Sequence, residues 1–379
     1  MDFNLVSALL FYVAVGILIF IFRRKFKVYY KIAFLYKTKF GLKAIDWVVK
    51  KFGCVVRGFG VVSRYLGIVG MGVIVFFLAA NLVKLIKNPA AAGAVSLVIP
   101  GVRIPGSAVY IPFWQGIIAI FVVVLVHEFA HGIVGKAIGT KIKNTGFGFF
   151  AIFPIAFVEP DEKQLKKKDW KKQIDVFAAG PVMNFVVGGI CFLLLAFLLY
   201  PAVGNAFEAN GVLVKGVMRG FPAEDLFKEG DIIIGLNGFQ IKTVEEFKQI
   251  MMNISAGSVV HVETVDREFD VKVAENPDMP GKGYFGIYIT QSFRKVHRFA
   301  SVLLFLLTLF AWMLNLNIGI GLINLLPAGP LDGGRILFVL LKRFFGKKGE
   351  RIFRHVSALM LLLLVLNFVF PYFNMLLIR

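Results

Sequence analysis

The chain has almost no cysteine and, over long stretches, almost no acid. Its two cysteines, Cys54 and Cys191, lie in or beside apolar segments, which excludes a disulfide framework and a thiolate metal site. Charged residues make up 17% of the 379 positions against 58% hydrophobic. That excludes an ordinary soluble chain and leaves a polytopic membrane protein in contact with the lipid bilayer. Acids are the scarcer sign, with 23 Asp and Glu against 43 Lys and Arg for a net charge of +20. The basic excess gathers in short segments beside apolar runs. That is the pattern of cytoplasmic loops, so no nucleic acid is expected as a partner.

Apolar runs predict about six transmembrane helices, near 3–22, 65–83, 113–137, 176–200, 299–323 and 356–373. The first reads as a retained span, because Arg23-Arg24-Lys25 follow it, whereas in a secretory signal the basic cluster comes first. From Arg23 to Arg64 there are twelve Lys or Arg and one acid, Asp46, which marks a cytoplasmic segment. Within it, Ala44 to Val62 reads as an interfacial amphipathic helix. Residues 88–114 contain no acid and four prolines, so an outer loop of short extended pieces is expected. Lys342 to Arg354 reads as another basic cytoplasmic loop. Counting spans puts both termini outside the cell membrane.

The third run ends in His127, Glu128 and His131, as H-E-F-A-H. Histidines four apart on a helix share one face and reach one metal ion, and Glu128 stands where it can act on a metal-bound water. Such groups are costly in a membrane and point to function. Residues 324–335, N-L-L-P-A-G-P-L-D-G-G-R, break the helix and leave the carboxylate of Asp332 in apolar surroundings. It must be protonated, paired with Arg335, or bound to a metal; the two-histidine site elsewhere in the membrane favours metal.

Two other segments are candidates. Thr145 to Val158, rich in phenylalanine and containing Pro154, reads as a hairpin or edge strand dipping into the apolar layer. It is either structural or a strand on which unwound substrate pairs, through Phe147, Phe149 and Phe150. Asn184, in A-A-G-P-V-M-N, either bonds a neighbouring helix or donates to an oxyanion or to substrate backbone. Between Gly204 and Arg298 the composition turns soluble, with eleven basic and thirteen acidic residues. Its succession of strands and short helices around K-E-G-D-I-I-I-G-L-N-G resembles a PDZ domain. Such a fold binds an extended peptide or acts as a steric gate against large ectodomains.

Taken together, H-E-F-A-H in one span, G-P-V-M-N in the next, the PDZ-like insert and N-L-L-P-A-G-P-L-D-G resemble the site-2 protease family of intramembrane zinc metalloproteases, over about Phe113 to Leu341. The resemblance implies zinc on His127, His131 and Asp332, Glu128 as general base, and substrate-facing roles for Asn324 and Asn184. The substrates it implies are single-span membrane proteins. The expected fold is a polytopic α-helical membrane protein with re-entrant or strand segments and an inserted small α/β PDZ-like domain. Its parts are a two-span extension at 1–112, core halves at 113–203 and 299–379, and the insert at 204–298. The span count puts the insert outside and the active site toward the cytoplasmic side. A metal transporter would show internal repeats, and none is visible. A non-catalytic PDZ scaffold would have no use for Glu128.

Overall fold

The computed structural model describes residues 3–22, 26–29, 33–88, 93, 95–96, 98–104, 109–150 and 153–377. The basic cluster Arg23-Arg24-Lys25, the prolines at 89 and 105, and residues 151–152 lie outside them. The chain forms two compact units, Met1–Ala196 with Leu307–Arg379, and Phe197–Leu306.

The first unit opens with α1 (Phe3–Ile21), β1 (Lys27–Tyr29), β2 (Ala33–Thr38) and α2 (Leu42–Lys87). It continues through α3 (Phe113–Ala137), β3 (Ile142–Phe150), β4 (Phe153–Pro160), the short α4 (Glu162–Lys166) and α5 (Trp170–Leu194). A π-helical stretch, Leu195–Leu199, spans the start of the second unit, which opens with α6 (Tyr200–Ala206). Helix α8 (Ala300–Asn324) begins at the end of that unit, and α9 (Asp332–Phe345) and α10 (Lys347–Leu377) follow in the first. Among the described residues, six helical segments are long and apolar enough to cross a membrane.

Two expectations change. Ala44 to Val62 does not end before the second span: it belongs to the 46-residue α2, in which a kink at Phe52 joins two helical stretches. Nothing in this stretch is proline, and glycine weakens a helix without ending it. Nor is Lys342 to Arg354 a loop, since only Gly346, at φ 54°, separates α9 from α10. Around the sequence motifs the core joins α2, α5, α9 and the segment before α9 through Leu78, Ile174, Ala178, Leu325, Leu326 and Ile336, all fully buried, and α10 adds Met360. Helix α3 joins through Ala130 and Val134, packed with Val56, Val176 and Ala179. Asn367, fully buried on α10, accepts from Asn81 of α2 at 3.0 Å and donates to the Leu78 carbonyl at 3.0 Å.

The sheet of this unit has the order β1-β2-β3-β4, all antiparallel. Phe147, Phe149 and Phe150 lie on β3, which pairs with β2 on one side and β4 on the other. That strand is therefore interior, and β4 is an edge strand, as β1 is on the far side. The prolines explain the choice. Pro154 and Pro160 sit at alternate positions of β4, on the side where no ladder N–H is required.

The second unit packs β5 (Phe207–Val217), β6 (Ile232–Leu236), β7 (Phe239–Gln240), α7 (Val244–Met252), β8 (Val259–Thr264), β9 (Glu268–Lys272), β10 (Ala274–Asn276), β11 (Met279–Tyr284) and β12 (Ile287–Lys295). Its main sheet runs β12-β5-β6-β8-β9, with β7 on β6. The G-D-x-I-x-x-x-N-G segment builds this unit locally. Asp231 takes the Arg267 guanidinium at 2.7 Å, and Asn237 (φ 50°) with Gly238 (φ 81°) makes the tight turn between β6 and β7. Thr243 and Glu246 cap α7 reciprocally. A cavity of about 300 Å³ lies beside the open edge of β12, lined by Phe247 and Met251 of α7 and by Ile287 and Ile289.

Candidate metal centre

His127 and His131 lie one turn apart near the end of α3, and Asp332 opens α9, 201 residues beyond His131. All three are buried, 6 to 8% exposed. Their ligand atoms converge: His127 Nε2 is 3.0 Å and His131 Nε2 3.2 Å from Asp332 Oδ2, and the two Nε2 atoms are 3.1 Å apart. Separations of this size approach the ~3.3 Å edge of a tetrahedron with zinc–ligand bonds of 2.0–2.1 Å. Asp332 does not pair with Arg335, whose guanidinium lies over the Phe177 ring, 5.6 Å from its centroid.

The surroundings decide which nitrogen faces the centre. His131 Nδ1–H donates to the Val176 carbonyl at 2.6 Å. A carbonyl only accepts, so the neutral ring carries its proton there and leaves the Nε2 lone pair toward Asp332. The Asn184 amide meets His127 Nδ1 at 3.2 Å. With its nitrogen toward the ring, its oxygen is buried without a partner. Turning the amide, which is nearly symmetric in shape, gives His127 Nδ1–H an acceptor and frees that ring's Nε2 as well. Two imidazole lone pairs and a carboxylate then point at one spot. Such a cluster suits a cation between them, and the donor set fits zinc.

Glycine makes room for it. A Cβ at Gly180 would fall inside the contact radius of His131 Nε2 and come 2.7 Å from His131 Cε1 and 2.9 Å from His127 Cε1. No larger residue lets α5 approach both rings. Glu128 accepts a hydrogen bond from the Val158 N–H of β4 at 3.2 Å. Asn324 ends α8 and lines the same cavity as the metal residues, about 910 Å³ in volume. That cavity continues to Glu159, Glu162, Lys163 and Lys166, so the mixed charged segment after β4 forms a polar wall leading to the centre. Glu159 accepts from Lys37 at 2.7 Å and from Asn144 at 3.0 Å, which holds its carboxyl below the ordinary value of 4.5. The Ser357 hydroxyl of α10 accepts from Gly329 N at 2.6 Å and steadies the loop before Asp332.

Sequence reasoning found the three converging residues and Glu128 but missed Val158, Val176 and Ser357. The first two act through backbone groups, which carry no residue-type signal. Ser357 looked like one more small residue in a span.

The peptidase family M50 model matches residues 115–368, about two-thirds of the chain. An uncharacterized protein of Methanocaldococcus jannaschii, MJ0971, is 30% identical over 255 residues, covering 63% of this chain and 62% of that one. The regulator of sigma-W protease RasP of Bacillus subtilis is 25% identical over 263 residues, 55% of this chain and 61% of that one. The zinc metalloprotease RasP of Bacillus licheniformis is 26% identical over 270 residues, with the same shares. The chain thus spans about three-fifths of the length of these relatives. The PDZ domain of an SdrC-like protein from Listeria monocytogenes shares 24% identity, with a TM-score of 0.19, over 21% of this chain and 88% of that domain.

Proposed function

The chain belongs to peptidase family M50, and from that premise we propose that it is an intramembrane zinc metalloprotease. It hydrolyses a peptide bond within or near the transmembrane segment of single-span membrane proteins. The observation that carries this reading is the convergence of His127, His131 and Asp332 in the membrane unit with Glu128 beside them. A zinc ion held by these three would supply a Lewis acid that lowers the pKa of a water to about 7 and polarises the scissile carbonyl. Glu128 takes the water's proton and returns it to the leaving amine. The Val158 N–H engages one oxygen of that carboxylate and leaves the other for the proton. Asn324 on the cavity wall offers an amide to the substrate backbone.

The substrate strand is β4's partner. Val158 directs its N–H away from β3, and by the alternation of an antiparallel ladder Ala156 does the same. An unwound substrate can therefore pair along this edge, held through its backbone next to Glu128. The positions of the basic segments favour outside termini and an active centre toward the cytoplasm. In the inserted domain, the open edge of β12 and the apolar groove beside α7 suit an extended peptide end.

The test uses the purified full chain with a single-span model substrate. The wild type should hold one zinc and cleave. Glu128→Gln should keep the zinc and lose cleavage, and undiminished cleavage by that variant would refute the assignment. Ala156→Pro, which removes a donor the sheet does not use, should keep zinc and lose most cleavage. Unchanged cleavage would remove β4 from substrate binding.

A further inference from the structure

Helix α2 precedes the region matched by the family model, and nothing in that match gives it a role. Yet it carries a buried ion pair to the catalytic core. Arg64 Nε donates to Asp175 Oδ1 at 2.6 Å and Nη2 donates to Oδ2 at 2.9 Å, with side chains 11% and 6% exposed. This two-pronged geometry fixes direction as well as distance, which a lysine cannot do. The next residue is Val176, whose carbonyl holds His131 Nδ1–H.

The start of α5 needs such an anchor. Pro181 has no N–H to give the Phe177 carbonyl, so a helical hydrogen bond is missing just after Val176. The first turns of α5, which carry the His131 acceptor, are thus less firmly tied to the rest of the helix. Close packing reinforces the contact from α2: a Cβ at Gly67 would lie 2.7 Å from that of Ala178.

We propose that Arg64 is a positioning residue for the metal ligand His131, acting through Asp175 and the Val176 carbonyl, so that α2 is part of the metal centre's support. Removing Arg64 leaves Asp175 buried and uncompensated, and the turn shifts to rehydrate it. His131 then loses its acceptor or its aim. Loss of such an outer partner typically weakens metal binding 10–100-fold.

The inference rests on the zinc reading above, and the experiment separates the two. Zinc affinity of the full-length protein in detergent is measured by chelator competition, and cobalt-substituted protein gives a visible spectrum that reports ligand geometry. Arg64→Met should bind zinc at least about tenfold more weakly than wild type, with an altered cobalt spectrum. Arg64→Lys, which keeps the charge without the fork, should fall between, and serves if the Met variant does not fold. Asn81→Ala removes a different polar tie of α2, to α10, and should lower the unfolding temperature without moving zinc affinity or the spectrum. Arg64 variants with wild-type affinity and spectrum would overturn the inference, whatever their stability. A wild type that binds no zinc would instead overturn the zinc reading itself.

Discussion

Replacing Gly180 by alanine is the most direct probe of how closely α5 must approach the metal centre. The added methyl would meet His131 Cε1 at 2.7 Å and His127 Cε1 at 2.9 Å, where ordinary contact begins at 3.4 Å. One or both rings, or the α5 backbone, must therefore move by at least about 0.7 Å. Metal–ligand distances tolerate only about 0.2 Å. Overpacking of this size costs about 1–3 kcal/mol, which here falls on the geometry of the two imidazoles. Weakening of zinc binding by about 10–100-fold follows, with cleavage falling in proportion to zinc occupancy. Chelator competition on detergent-purified protein measures the affinity, and cleavage at saturating zinc separates occupancy from geometry. Wild-type affinity and rate in Gly180→Ala would refute the reasoning, because it would mean that the rings have slack the structure does not show.

Three further outcomes follow from the site. Asp332→Ala should lose zinc to a chelator that leaves the wild type loaded; retained zinc would remove Asp332 from the donor set. Asn184→Ala should weaken zinc about tenfold while Asn184→Asp, which keeps an acceptor for His127 Nδ1–H, retains it. Normal zinc affinity with lost cleavage in the alanine variant would return Asn184 to a substrate-facing role. Glu159, with its carboxyl held down by Lys37, stabilises the β2–β4 end of the sheet above the ordinary value of 4.5 and ceases to do so as pH falls through its lowered folded value. Thermal unfolding of Lys37→Met should therefore differ from wild type by about 1 kcal/mol or less at pH 7, and the difference should vanish in acid. A difference that persists at low pH would show another origin.

The local patterns written into the chain were legible because each has a short-range physical cause. Apolar runs of about twenty residues give helices long enough to span, and four-residue spacing puts two imidazoles on one helix face. Pro154 announced a hairpin or edge strand within Thr145 to Val158, but not which side of it would stay unpaired. Only pairing with β2, drawn from a basic segment more than a hundred residues earlier, filled one side of β3 and left β4 open. The length of α2 was equally hidden, because charge suggested an interface where the chain, kinked at Phe52, goes on as helix into the span.

By itself, then, the sequence determined the donor types, their helical spacing, and the irregular backbone around Asp332. Tertiary structure decided the rest: that Asp332 Oδ2 reaches both histidines, that backbone groups at Val158 and Val176 orient Glu128 and His131, and that Arg64 grips Asp175. Those interactions join residues 30 to 205 positions apart through carbonyls, amides and buried charge. Their partners are chosen by packing, which no local pattern of residue types encodes.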